Sequence, residues 1–176
     1  MYKAPSTESE PSTLLQHVQP GEVFVTGESG TISTILGSCV AVCLWDKASG
    51  FSGMNHIILP ISAEGEAAST RYANVGTYVL FDLMMEAGCR KENLVAKVFG
   101  GASGINANLN YTMLSVGSRN LAITFRVLAR LEIQIAGQDI GGEQGRKIVF
   151  DTQTGKVRMN YLKGFDFRKE SKLMES

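Results

Sequence analysis

A chain of 176 residues is long enough for one domain that buries most of its apolar surface, and a 44% hydrophobic share is ordinary for such a domain. Lys+Arg and Asp+Glu both number 17, so the formal charge is zero, which argues against a nucleic-acid binder, whose affinity needs a basic excess or stripe. No apolar run is long enough to cross a bilayer, and the opening MYKAPSTESEPSTLLQ is too polar for a signal peptide, so the expected location is the cytoplasm.

Residues 1–20 are rich in Ser, Thr, Pro and Glu and read as a flexible arm. After Gly21, EVFVT, TISTIL and CVAVCLW read as three strands. Asp46-Lys47-Ala48-Ser49-Gly50 has the residues of a short hairpin turn, and FSGMNHIILP returns as a strand stopped by Pro60. ISAEGEAASTRYA reads as a loop, with Asn74 capping a helix over VGTYVLFDLMMEA that Gly88 closes. Leu80, Leu83, Met84 and Ala87 form its apolar stripe. LVAKVF is a buried strand running into Gly100-Gly101, followed by the polar loop ASGINANLNYTML and a second helix over about 118–131. EIQIAGQD alternates as a strand, GGEQG turns, and RKIVFD and KVRMNYL joined by TQTG close as a hairpin. The order gives an α+β fold: a domain over 21–162, with helices on a mixed or mostly antiparallel sheet or on two stacked sheets, and a charged tail over 163–176.

The three cysteines, Cys39, Cys43 and Cys89, are odd in number and irregular in spacing, so they do not describe a disulfide framework. With only His17 and His56 beside them, and no CxxC or HxxxH pair, they argue against a structural zinc site. A strand cysteine is ordinarily a small core hydrophobe, and Cys43 and Cys89 keep that reading. Cys39 departs from it. It follows the flexible Gly37-Ser38 pair, whose backbone N–H groups are placed to meet an oxyanion. It stands at the mouth of its strand, and the hairpin partner carries the only histidine outside the arm.

Pairing Asp46 with Phe51 around the turn sets a constant sum of residue numbers. Ala41 then opposes His56, and Cys39 opposes Ile58. Cys39, Ala41, Cys43 and His56 therefore share one face, with the Cys39–His56 diagonal at roughly 7–8 Å between backbones. A slip of one residue would send His56 to the other face. Imidazole can take the thiol proton and return it to a departing amine, and a third group must orient the ring. Thr31, Ser33 and Thr34 on the preceding strand all offer a hydroxyl, and spacing does not choose among them.

Gly100-Gly101-Ala102-Ser103 lacks the pattern of a nucleotide-binding loop and reads as a tight turn that lines a substrate cleft. Gly141-Gly142 reads as a turn, and Arg119-Asn120 as exposed capping polars or substrate contacts.

TILGSCVAVCLWD followed by GFSGMNHIILP resembles the CheD family of chemoreceptor glutamine deamidases. The likeness continues through RYANVGTYVLFDLM, KVFGGAS, VGSRN and GQDIGGEQGRKIVFDTQTGKV. The resemblance implies an α/β/β/α sandwich, similar to toxin deamidases of the cytotoxic necrotizing factor type. It implies hydrolysis of selected glutamine side chains in chemoreceptor cytoplasmic helices, with no metal or organic cofactor. It maps the nucleophile and base onto Cys39 and His56 and a third residue, six positions before the cysteine, onto Ser33. Gly37, Ser38, Gly100 and Gly101 are the expected oxyanion and substrate-binding positions. The resemblance also admits a CheC-type phosphatase as partner, and a monomer is expected. Two rival readings share these residues: a binding regulator of such a phosphatase, and another acyl-transfer enzyme such as a cysteine protease, transglutaminase or receptor methylesterase.

Overall fold

A computed structural model describes residues 13–103 and 115–163. The expected polar loop falls mostly at 104–114, the start of the expected arm at 1–12 and most of the expected tail at 164–176, all outside the described residues. The elements are β1 (Leu14–His17), β2 (Val23–Thr26), β3 (Gly30–Leu36), β4 (Val40–Asp46), β5 (Ser52–Asn55), α1 (Ala73–Glu86), β6 (Leu94–Gly100), α2 (Val116–Arg130), β7 (Gln134–Ile140), β8 (Arg146–Asp151) and β9 (Val157–Tyr161). Strand β1 lies within the segment read as an arm. It pairs in parallel with β3, Leu14 beside Gly30 and His17 beside Ser33, and the following Val18 is fully buried. A parallel pairing at this distance leaves no local turn signal in the sequence.

The strands form two sheets, ordered β1-β3-β8-β9 and β2-β5-β4-β6-β7. The class is α+β with two packed sheets. Strand β4 is central to the five-stranded sheet and buried along nearly its whole length. Val40, Val42 and Leu44 face the helices, while Ala41 and Cys43 face the other sheet. Burial on both faces is why this strand reads as a near-continuous apolar run. In β3, Ile32, Thr34 and Leu36 turn inward and Ile35 outward, the period-2 pattern of a sheet with one covered face. Ile148 and Phe150 of β8 complete the layer between the sheets.

Both described helices pack on the five-stranded sheet and on each other. The expected helix layers on two outer faces therefore amount, among the described residues, to one layer. The apolar stripes explain this: Leu80 and Met84 of α1 and Leu121 and Leu128 of α2 enter the same cluster as Val40, Val42 and Leu44. Helix α1 starts without its expected Asn74 cap. Tyr72 holds the capping position with no side-chain bond. The first helical N–H groups instead donate to chain carbonyls, Ala73 N–H to Leu59 O (2.8 Å) and Asn74 N–H to Pro60 O (3.4 Å). At the other end Gly88 closes the helix as expected, with Cys89 N–H donating to Met84 O (3.1 Å). Helix α2 begins two residues before the expected start because Ser115 caps it, its Oγ accepting from Ser118 N–H at 3.1 Å.

Candidate active site

The β4–β5 hairpin has the expected register. Cys43 pairs with Met54, Leu44 with Gly53 and Trp45 with Ser52, and beyond the strand's end Val40 bridges Ile57. These pairs bracket Ala41 and His56, so the two oppose each other and Cys39 lies opposite Ile58. The ladder is nevertheless interrupted between the bracketing pairs. Asn55 Oδ1, not a main-chain carbonyl, accepts from Val42 N–H at 2.8 Å. The His56 peptide is held instead from the β2 side: its N–H donates to Glu22 O (3.0 Å) and its carbonyl accepts from Gly21 N–H (2.8 Å).

The His56 side chain is 3% exposed and enters the layer between the sheets, where Thr34 of the facing sheet meets it. His56 Nδ1 lies 2.8 Å from Thr34 Oγ1, and Thr34 Oγ1 also donates to Val18 O at 2.8 Å. A hydroxyl has one proton. With that proton on the Val18 carbonyl, Thr34 accepts from Nδ1–H, and the neutral ring carries its lone pair on Nε2. Nε2 is buried with no hydrogen-bond partner among the described residues. Burial pushes the ring down to about 4, against a smaller upward pull from the Val18 carbonyl, so the imidazole is neutral at neutral pH. A neutral ring with a vacant lone pair can take a proton.

Cys39 is half-buried just before β4 and packs against the inter-sheet cluster that contains Ala41, Cys43 and Met54. It therefore lies on the same face as His56. Its segment is fastened through three successive carbonyls. Gly37 O accepts from Ala102 N–H (3.0 Å), Ser38 O from the Asn120 side-chain amide (3.2 Å) and Cys39 O from Gly101 N–H (2.8 Å). Gly100 and Gly101 thus lie against the cysteine segment. Both have positive φ, 105° and 69°, and a Cβ on Gly100 would collide with the Cys39 carbonyl oxygen. The other cysteines sit elsewhere. Cys43 is fully enclosed, and burial holds its thiol far above the usual range; burial likewise raises Cys89, beside Ser49 at the opposite end of β4.

Ser33 does not meet His56. Its Oγ lies 3.4 Å from Gln16 O and 3.3 Å from His17 Nδ1, on the outward face of β3. Strand alternation is the reason, and it could have been used on the sequence: Ile32 and Leu36 mark the inward face, and Thr34 lies between them. The structure also brings in two groups whose place at the site spacing did not give. One is the Val18 carbonyl, from a segment without a local strand signal. The other is Asn120, which is fully buried and not an exposed cap. Its spacing with Gly117, Leu121, Thr124 and Leu128, all buried, was the available signal.

The family model for CheD chemotactic sensory transduction matches residues 58–161. The chain is also 39% identical over 152 residues to the probable chemoreceptor glutamine deamidase CheD of Sulfurimonas denitrificans, covering 86% of this chain and 97% of that protein. The chain belongs to the CheD family. A CheD relative from Trichlorobacter lovleyi, likewise named a probable chemoreceptor glutamine deamidase, is 41% identical over 138 residues, 78% of this chain and 84% of that protein. Cys39 and His56 precede the span of the CheD family model, whereas the Sulfurimonas alignment is too long to leave either outside. Among solved structures, the Bacillus licheniformis hypothetical protein YfiH aligns with 66% of this CheD-family chain and 49% of its own at 12% identity, with a TM-score of 0.46. No helix among the described residues is long and apolar enough to cross a membrane.

Proposed function

We propose that this chain hydrolyses the side-chain amide of selected glutamines to glutamate in the cytoplasmic helices of chemoreceptors, with Cys39 as nucleophile and His56 as base. The observation that carries this reading is the state of His56: neutral, held at Nδ1 by Thr34, and with Nε2 unpartnered among the described residues, on the face that Cys39 shares. The names of the CheD relatives supply the substrate class.

In the first step the Cys39 thiol proton passes to His56 Nε2 as Sγ bonds to the glutamine carboxamide carbon. The resulting oxyanion is met by backbone N–H groups at Ser38 and Cys39, donors of a kind worth about 3–4 kcal/mol each when removed. The imidazolium returns its proton to the departing nitrogen, the C–N bond breaks and ammonia leaves a thioester. Water then gives a proton to His56 and attacks the thioester carbonyl. The C–S bond breaks, the proton returns to sulfur, and glutamate is released. Thr34 fills the orienting position for which Ser33 was expected, by holding the ring in the tautomer that leaves Nε2 open.

The test is ammonia release from a receptor cytoplasmic fragment, with peptide mass spectrometry to locate each amide-to-acid exchange. The unsubstituted chain is expected to convert discrete glutamines, and Cys39→Ala is expected to convert none while unfolding at an unchanged temperature. Turnover by Cys39→Ala would overturn the assignment, and backbone cleavage of the fragment would point to a protease.

A further inference from the structure

We infer that Asn120 is a positioning residue for the Cys39–His56 pair, an inference that rests on the function just proposed. The two catalytic side chains come from different segments: Cys39 precedes β4, and His56 follows β5. Main-chain pairing joins those segments at one bridge, Val40 with Ile57, after the ladder has been interrupted at Asn55. Asn120 supplies a second join from the helix layer. Its Nδ2 donates to Ser38 O at 3.2 Å and to Ile58 O at 3.0 Å. Ser38 is the residue before the nucleophile, and Ile58 is two residues beyond the base. Both partners are carbonyls, so the amide nitrogen faces them and the orientation of the side chain is settled by the bonds themselves.

Asn120 is fully buried. Its two donors therefore act without competition from water, and each carbonyl would lose its partner if they were removed. The side chain can hold both segments only because α2 is fixed at this point. Gly117, one turn earlier, packs so closely on Gly101 and Ala102 that a Cβ there would meet both their carbonyl oxygens at 2.6 Å. Gly101 and Ala102 in turn donate to Cys39 O and Gly37 O. One turn of α2 thus grips the cysteine segment through the glycine turn and the histidine segment through Asn120. Asn120 makes no hydrogen bond to the reacting sulfur or to the imidazole, so its effect is on their separation. A displacement of about 1 Å at a reacting centre costs on the order of 10²-fold in rate.

The experiment compares Asn120→Leu, which keeps the approximate shape and removes both donors, with Asn120→Ser, which keeps one hydroxyl donor. Leu128→Ala on the same helix, at a fully buried position about two turns further along, serves as a stability control. Each full-length variant is measured for melting temperature, kcat and KM on the receptor fragment, and rate of alkylation of Cys39 by iodoacetamide, located by peptide mass. The expected order of kcat is Asn above Ser above Leu, with the Leu variant about 10²-fold down, KM little changed and Cys39 alkylation slowed in the same order. Leu128→Ala is expected to melt lower while keeping kcat and the alkylation rate. A flat kcat across the three residues at position 120 overturns the inference, as does a kcat loss in Leu128→Ala matching that of Asn120→Leu at equal loss of melting temperature. Cys39→Ala, run in parallel, separates the two levels. If it still turns over, the proposed function fails and this inference with it; if it is inactive while Asn120→Leu retains full kcat, only the role of Asn120 fails.

Discussion

Thr34 gives its single hydroxyl proton to the Val18 carbonyl, and its remaining lone pairs hold the His56 ring by Nδ1. Replacing it with valine keeps the β-branched shape but leaves the imidazole N–H buried without an acceptor, a loss worth about 1–3 kcal/mol. The ring is then free to take the other tautomer, which puts its proton on Nε2, where the thiol proton must go. Thr34→Val is therefore expected to lower kcat about 10²-fold or more with little change in KM, and Thr34→Ser to restore most of it. Ser33→Ala faces outward beside Gln16 and His17 and is expected to leave kcat unchanged. Steady-state ammonia release from the three variants checks this. Equal losses at positions 33 and 34 would show that the alternation of β3 does not decide which hydroxyl matters.

The elements that carry the site differ in how far they could be read from sequence. The β4–β5 register was legible because a short turn fixes it and because slipping it would put polar His56 among the helix-facing apolar residues. The two ends of α1 differ in the same way. Gly88 closes the helix locally, whereas its start depends on carbonyls of Leu59 and Pro60 that no local pattern announces. Strand β1 was missed because a parallel partner across the intervening β2 leaves no signature in four residues. Of the two readings of Asn120, exposed cap or substrate contact, the cap fails because the true cap is Ser115 and Asn120 is buried. That cap is testable at the scale of the helix. Ser115→Ala removes the acceptor of the Ser118 N–H and is expected to cost about 1 kcal/mol, seen as a lower urea midpoint with an unchanged slope. Because α2 carries Asn120, the same variant is expected to lose some kcat, but much less than Asn120→Leu. A loss as large as that of Asn120→Leu would locate the effect in the whole helix and not in the side chain.

At the scale of the molecule, His56 couples the integrity of the fold to pH. Its ring lies where β3, the end of β1 and the β5 segment meet, and burial there holds its folded value at about 4 against 6.5 for an exposed imidazole. Between these two values the unfolded chain binds a proton that the folded chain does not. Stability therefore rises with pH across this window: the contribution is complete above about pH 6.5 and is lost as pH falls toward 4. A shift of this size corresponds to about 3 kcal/mol. The depressed carboxylates act lower. Asp46, where backbone N–H groups of Ser49, Ala48 and Arg90 outweigh burial, and Asp151, held by Thr154 N–H, lose their contributions only as pH drops below the ordinary aspartate range. Urea unfolding from pH 7.5 down to 4 is thus expected to show a midpoint that declines mainly below pH 6.5, and His56→Gln is expected to flatten that decline. Equal declines in both proteins would mean that the imidazole is as easily protonated folded as unfolded. The neutral base on which the proposed chemistry depends would then lose its physical footing, whatever the activity of the variant.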